Sequence, residues 1–154
     1  MDPKTIDLDS ARESAGREIL NLVDRIGFPT QAAGWIYAVD PETTAGRWNY
    51  YLITPMLDEK GPHWIYERLL KVFSRIGLPA GITPLDIHVG IPTDRLYLVL
   101  SRLITVIEAP FHVVNGAIGD ETIVCRAYFY RINKEPISVK PRLFDRRVQQ
   151  LLAA

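Results

Sequence analysis

The chain has 154 residues, of which 47% are hydrophobic and 23% are charged, close to the averages of globular proteins. Eighteen basic residues balance eighteen acidic ones. A zero net charge argues against a general nucleic-acid binder, because affinity for phosphates comes mostly from accumulated Lys and Arg. A chain of this size folds without a metal or a disulfide, and we predict one compact domain over residues 1–154.

Other features of the sequence indicate a cytoplasmic protein. Cys125 is the single cysteine, which suits a reducing compartment. The first residues lack the basic start and apolar run of a secretory signal. The longest apolar segment, residues 96–107, is broken by Ser101, Arg102 and Thr105, so it does not have the pattern of a membrane span. We therefore expect a cytoplasmic protein without membrane contact.

The periodicity of apolar residues predicts nine elements in the order αββαβαββα. A capping-box pattern from Ser10 to Glu13 opens the first helix. The predicted helices cover residues 10–26, 62–76, 94–108 and 143–152, and the strands cover 35–39, 47–54, 84–89, 110–115 and 121–131. This order predicts an α+β domain, with a mainly antiparallel (mixed) sheet of about five strands and helices packed largely on one face. We expect one parallel crossover, through the second or third helix.

A short internal similarity relates two helix-to-strand segments. Residues 18–39 and 68–89 both carry Arg-Ile-Gly-x-Pro at the end of the predicted helix. Two such units can pack about a pseudo-twofold axis. The alternative, which we favour, is that this pattern is an effective way to end a helix and turn into a sheet.

Asp86 and His88 are the nearest approach to a catalytic or ligand-binding motif. They lie two residues apart on a predicted strand, so their side chains are expected on the same face. A carboxylate beside an imidazole can orient a general base or supply two metal ligands, and only His63 or His112 suggests itself as a third ligand. The alternative is an ordinary polar strand face. The chain has no nucleotide-binding, zinc-peptidase or serine-hydrolase motif, and we predict no metal and no cofactor.

The aromatic residues predict a different surface. Arg126, Tyr128 and Tyr130 lie on one face of the last strand, and Trp48 and Tyr50 on one face of the second. If these faces align without a covering helix, they form a cationic and aromatic platform that suits protein partners or stacked bases. If a helix packs over them, the rings are core.

Two other groups of residues carry weaker signals. Cys125 lies in the segment 123–129, whose odd-numbered positions are all apolar, so it is expected to face the core, where a thiol behaves as a small hydrophobe. A basic patch near the C-terminus consists of Lys140, Arg142, Arg146 and Arg147. Its simplest interpretation is a solvated helix face.

These patterns favour a non-enzymatic protein–protein interaction module of a bacterial type: an adaptor, an inhibitor or immunity-like partner, or a small subunit of an assembly. The first alternative is a small-ligand or metal-binding protein, or an enzyme, that uses the face of Asp86 and His88. The second is weak RNA binding on the sheet. Self-association into a homo-oligomer stays open. The predicted partner-binding residues are Trp48, Tyr50, Arg126, Tyr128 and Tyr130.

Overall fold

The computed structural model describes residues 7–39, 46–103, 111–118 and 122–154. Within these ranges the helices are α1 (Ser10–Arg25), α2 (Met56–Lys60), α3 (Pro62–Ile76), α4 (Arg95–Leu103) and α5 (Pro141–Ala153). The strands are β1 (Ala32–Val39), β2 (Gly46–Ile53), β3 (Ile87–Gly90), β4 (Phe111–Ile118) and β5 (Thr122–Ile132). The α+β class and the predicted order are confirmed, with the short helix α2 as an addition. No helix in the described ranges is both long and apolar enough to cross a bilayer.

The strands form one mixed sheet in the order β3-β2-β1-β5-β4. β1 pairs antiparallel with β2 on one side and with β5 on the other, and β4 pairs antiparallel with β5. β3 runs parallel to β2, and α2 and α3 connect these two strands. The predicted parallel crossover is therefore confirmed, and it passes through the second predicted helix, which is α3.

The N-terminal cap of α1 differs from the prediction. Asp9, not Ser10, is the cap, and its carboxylate accepts a hydrogen bond from the backbone N–H of Arg12 at 2.7 Å. A carboxylate at this position also interacts favourably with the positive end of the helix dipole. The hydrogen bond from the backbone of Arg12, with the charge of its side chain, holds the pKa of Asp9 below its usual range. Ser10 becomes the first helical residue.

The two Arg-Ile-Gly-x-Pro segments both end a helix, but in different ways. Gly27 (φ 77°) closes the end of α1 with two backbone bonds of the Schellman type. Gly77 (φ 85°) closes α3 with a 2.8 Å bond from its N–H to the carbonyl of Phe73. The strands that follow also differ, because β1 lies in the middle of the sheet and β3 lies at its edge. These differences favour a shared helix-ending pattern over a duplicated unit.

The strand predicted at 84–89 begins later than expected. Pro84–Asp86 forms a turn of 3₁₀ helix, and β3 begins at Ile87. The carboxylate of Asp86 accepts hydrogen bonds from the backbone N–H and the hydroxyl of Thr83, at 2.9 and 3.1 Å. This local capping arrangement holds the segment in a tight turn rather than in an extended strand.

Helices cover the two faces of the sheet unequally. α1, α3 and α5 pack on one face, and α4 covers part of the other, so the prediction that helices lie largely on one face is confirmed. Tyr97 and Leu100 of α4 pack against Ile36, Ile53 and Phe129 on the second face. On the first face, the core joins α1, α3, α5 and the sheet through Ile19, Val23, Trp35, Tyr50, Leu69, Val72, Phe144 and Val148.

Gly16 lets α1 approach the sheet very closely. A Cβ atom at this position would lie 2.5 Å from the indole nitrogen of Trp35 and 2.5 Å from the hydroxyl oxygen of Tyr130. The hydroxyl of Tyr50 donates a hydrogen bond to the carbonyl of Gly16 at 2.8 Å. The helix is therefore held at a distance that no other residue at this position permits without movement.

We predict that Gly16→Ala destabilises the protein, although Ala is favoured over Gly inside a helix by about 1 kcal/mol. The added methyl group overpacks the contact between α1 and the sheet, and we expect a net loss of about 1–3 kcal/mol in the free energy of unfolding, measured with urea. Asn21→Ala, at an exposed position of the same helix, is the control and should leave stability unchanged or slightly higher. A Gly16→Ala protein as stable as the parent would show that α1 has room to move outward.

Candidate functional site

The aromatic residues predicted as a platform do share one face of the sheet, but helices cover that face. Trp48, Tyr50, Tyr128 and Tyr130 are only 0 to 7% exposed and lie in the core beneath α1 and α3. Arg126 is partly buried and forms an ion pair with Asp7 at 3.0 Å. The prediction of an exposed platform is therefore wrong for the four rings, and the alternative holds, in which a helical layer makes them core.

The hydroxyl groups of these tyrosines fasten α1 to the sheet. Tyr130 donates to the backbone carbonyl of Glu13 at 2.6 Å, and Tyr128 donates to the Glu13 carboxylate at 2.7 Å. Burial, with the Glu13 carboxylate, raises the pKa of Tyr128 to about 12, and burial also raises the pKa of Tyr50 and of Tyr130. The hydroxyls therefore stay neutral donors at ordinary pH. The rings of Trp48, Tyr50, Tyr128 and Tyr130 are therefore not open for a base to stack on.

Asp86 and His88 do not form the pair that the sequence suggested. Asp86 lies in the 3₁₀ turn, where its carboxylate is bound to Thr83 and forms an ion pair with Arg47 at 3.2 Å. The Nε2 atom of His88 lies 3.2 Å from the Oδ1 atom of Asn49, and the His88 ring stacks on Tyr51 with ring centroids 5.3 Å apart. The imidazole is therefore oriented by Asn49 and Tyr51 rather than by a carboxylate.

His63, one of the two other candidate ligands, does not lie beside His88. His63 is 96% exposed on α3, which packs on the opposite face of the sheet. In the part of the chain that the structure describes, no group of three His, Cys, Asp or Glu side chains is arranged to hold a metal ion. The side chains of His112 and Cys125 lie outside the described residues, so the expectations about them stay predictions.

A groove that the sequence did not reveal lies at one end of the sheet, where β1 begins and β2, β3 and β5 end. We call it the end groove. Its volume is about 410 Å³, which is within the range of small-ligand sites. Its polar lining residues are Gln31, Asp58, Thr93 and Lys134. Its apolar lining consists of Pro55, Ile91, Pro92, Tyr97, Leu98, Pro136 and Ile137.

Gln31 fixes the shape of the end groove. Its buried side-chain amide donates hydrogen bonds to the backbone carbonyls of Asn133 and Glu135, the second at 2.8 Å. The hydroxyl of Tyr97 lies 3.3 Å from the same nitrogen and donates to the Asn133 carbonyl at 2.5 Å. The backbone of Gln31 also bonds to Ile53 and Asn133, at 2.7 and 2.8 Å. One residue therefore joins β2, the segment after β5 and α4.

Comparison of the chain with protein-family models, with curated proteins and with solved structures finds no match. The function is therefore inferred from the geometry of the site.

We predict that the unfolding free energy falls as the pH is lowered from about 7 to about 5, and that His88 contributes to this fall. Burial, and the positive charge of Arg47, lower the pKa of His88 in the folded protein. The unfolded chain therefore takes up a proton first, and acid stabilises the unfolded state. Urea unfolding at several pH values should show a shallower slope in His88→Gln than in the parent. His63→Gln is the control at an exposed position, and an equal slope in the parent and His88→Gln would contradict the prediction.

We predict that Gln31→Ala lowers the free energy of unfolding by about 1–3 kcal/mol, because the part-buried carbonyls of Asn133 and Glu135 lose the amide donor. In a double-mutant cycle with Tyr97→Phe, the two changes should be non-additive, since both side chains bond to Asn133. Gln150→Ala, which removes an exposed amide on α5, should change stability by less than about 0.5 kcal/mol. If Gln31→Ala changes the free energy of unfolding as little as Gln150→Ala does, the Gln31 amide does not stabilise the end of the sheet.

Proposed function

We propose that this protein is a non-enzymatic interaction module that takes an apolar segment of a protein partner into the end groove. The observation that carries this proposal is a preformed, mostly apolar groove at whose margin Leu98 is 41% exposed. Apolar surface left in water at a concavity is typical of binding sites. In this role the protein acts as an adaptor, an inhibitor or immunity-like partner, or a subunit of a bacterial cytoplasmic assembly.

The polar groups of the end groove support binding rather than catalysis. The amide of Gln31 is already bonded to Asn133 and Glu135. Asp58 and Lys134 are exposed, so water screens their charges. They are suited to select the orientation of an occupant by charge, as the polar rim of a protein interface does.

The shape of the end groove favours a peptide segment over an enclosed small molecule. The exposed side chain of Leu98 shows that the apolar lining continues onto the surface. Pro55, Pro92 and Pro136 come from three different connections and have restricted backbones, so little ordering is needed when a segment binds. An occupant that fills the groove and continues past Leu98 buries more apolar area than one confined within it.

The proposal is tested with random peptides displayed on phage, selected on the parent protein and counter-selected on Leu98→Asp. We expect enriched peptides with clustered apolar residues. Labelled copies should bind the Leu98→Asp protein at least about tenfold more weakly than the parent, measured by fluorescence polarisation. The reason is that a carboxylate at the margin must lose water when an apolar side chain enters.

Leu70→Asp is the matched control, because Leu70 is 44% exposed and lies on α3, away from the end groove. It should leave peptide affinity within about twofold of the parent, and circular dichroism should show that both variants are folded. Selected peptides that bind the Leu98→Asp protein as tightly as the parent, or a selection that yields no apolar consensus, would overturn the proposal.

A further inference from the structure

A basic surface covers the outer side of α5 and the end of α1. We call it the α5 basic surface and define it as Arg25, Lys140, Arg142, Arg146 and Arg147, all of which are exposed. A guanidinium nitrogen of Arg147 lies 3.3 Å from the backbone carbonyl oxygen of Arg25, so the two helices meet here. Arg142 and Arg146 are one helical turn apart, opposite the buried Phe144 and Val148.

This charge is not neutralised within the described part of the chain. None of the five cations forms an ion pair there. Two of the nearby carboxylates pair with other cations: Asp145 binds Arg68 at 2.8 Å, and Asp24 binds Arg131 at 2.7 Å. A chain with zero net charge therefore concentrates unpaired positive charge on one surface.

The arrangement is unfavourable for the helix itself. The first turn of α5 contains no acidic residue, and Lys140 at the cap position provides no side-chain hydrogen bond to it. Positive charges at this end oppose the helix dipole, and Arg142 and Arg146 at the i,i+4 spacing repel one another. Helix stability therefore does not account for these charges.

We infer that the α5 basic surface binds an acidic segment of a protein partner. Carboxylates from such a segment form charge-assisted hydrogen bonds with guanidinium groups, often through two parallel bonds. They also supply the negative charge that the first turn of α5 lacks.

The surroundings favour an acidic protein segment over a nucleic acid. Arg25 also lines a second groove, of about 240 Å³, together with Leu22, Ile76 and the acidic Glu18, and Ile76 is 48% exposed. The groove itself therefore suits apolar side chains, while the carboxylates of the segment lie on the arginines of α5. A protein segment offers apolar side chains to this groove, whereas a phosphate backbone does not. A long polyanion would also extend past the α5 basic surface by more than the screening length of about 10 Å. There it would be repelled by the acidic residues that balance the net charge.

The position of the surface connects it with the end groove. Ile137 lines that groove, and Lys140 follows three residues later, at most about 11 Å along an extended chain. A single partner chain can therefore place an apolar stretch in the groove and an acidic stretch on α5. To this extent the inference rests on the proposed function, although the acidic contact itself does not require the groove.

The test measures the binding of a short fluorescein-labelled peptide of Glu, Asp and Leu at about 50 mM salt, and again at about 200 mM salt. We expect binding that weakens at least about tenfold in Arg142→Glu/Arg146→Glu, and also at the higher salt concentration. The matched control is Arg95→Glu/Arg102→Glu, which makes the same change in net charge at exposed positions of α4 and should retain the affinity of the parent. Circular dichroism checks that both double variants are folded.

Three results would overturn the inference: no binding at the lower salt concentration, an equal loss in both double variants, or equally tight binding of a single-stranded RNA of matched charge. Leu98→Asp separates this inference from the proposed function. This substitution should weaken the binding of the apolar peptides from the phage selection and leave the affinity for the acidic peptide unchanged. If the end groove binds no apolar peptide, the measurement with the acidic peptide still tests the α5 basic surface.

Discussion

The contact between α1 and the sheet at Gly16 is the constraint on which the rest of the molecule depends. The carbonyls of Gly16 and Glu13 accept hydrogen bonds from the hydroxyls of Tyr50 and Tyr130. Those hydroxyls are buried far enough to require partners, and only a residue without Cβ lets the helix come close enough to provide them. The aromatic face is thereby used for stability, so its buried rings are not available as a binding surface.

The same requirement for hydrogen bonds shapes the end groove. Gln31 lies immediately before β1. Its side-chain amide donates hydrogen bonds to the carbonyls of Asn133 and Glu135 in the irregular segment after β5. Residues 133–140 have no regular secondary structure, so their carbonyls need partners from elsewhere. Because Gln31 and Tyr97 supply them, the apolar side chains of this segment are held at the groove rather than collapsed onto one another.

The sequence predicts the elements well because they depend on local periodicity, and it predicts the site poorly because the site depends on contacts between distant residues. The apolar stripe of α3 and the glycine that ends the helix can both be recognised from a short stretch of sequence. Helix α3 spans residues 62–76 as predicted. That Tyr128 and Tyr130 share a face, and likewise Trp48 and Tyr50, also follows from alternation along each strand. That both pairs lie on the same face of the sheet is seen only in the folded structure. Whether a helix covers them depends on Gly16, whose role appears only when α1 and the sheet are brought together. The Thr83–Asp86 turn is different: Thr-Pro-Leu-Asp is itself a capping pattern, so local reading could have identified it.

The two proposed contacts differ in physical character, and this difference matters for how a partner is held. Apolar burial in the end groove is largely insensitive to salt and gives most of its effect through slow dissociation. The charges of Arg142 and Arg146 act over a longer range and mainly raise the association rate. Since Ile137 and Lys140 are separated by so short a segment, a partner of the proposed kind, once captured through its acidic residues, would have its apolar stretch beside the groove at a high effective concentration. The second contact would then form without a further diffusional search, so a modest affinity at each surface would suffice for a stable complex.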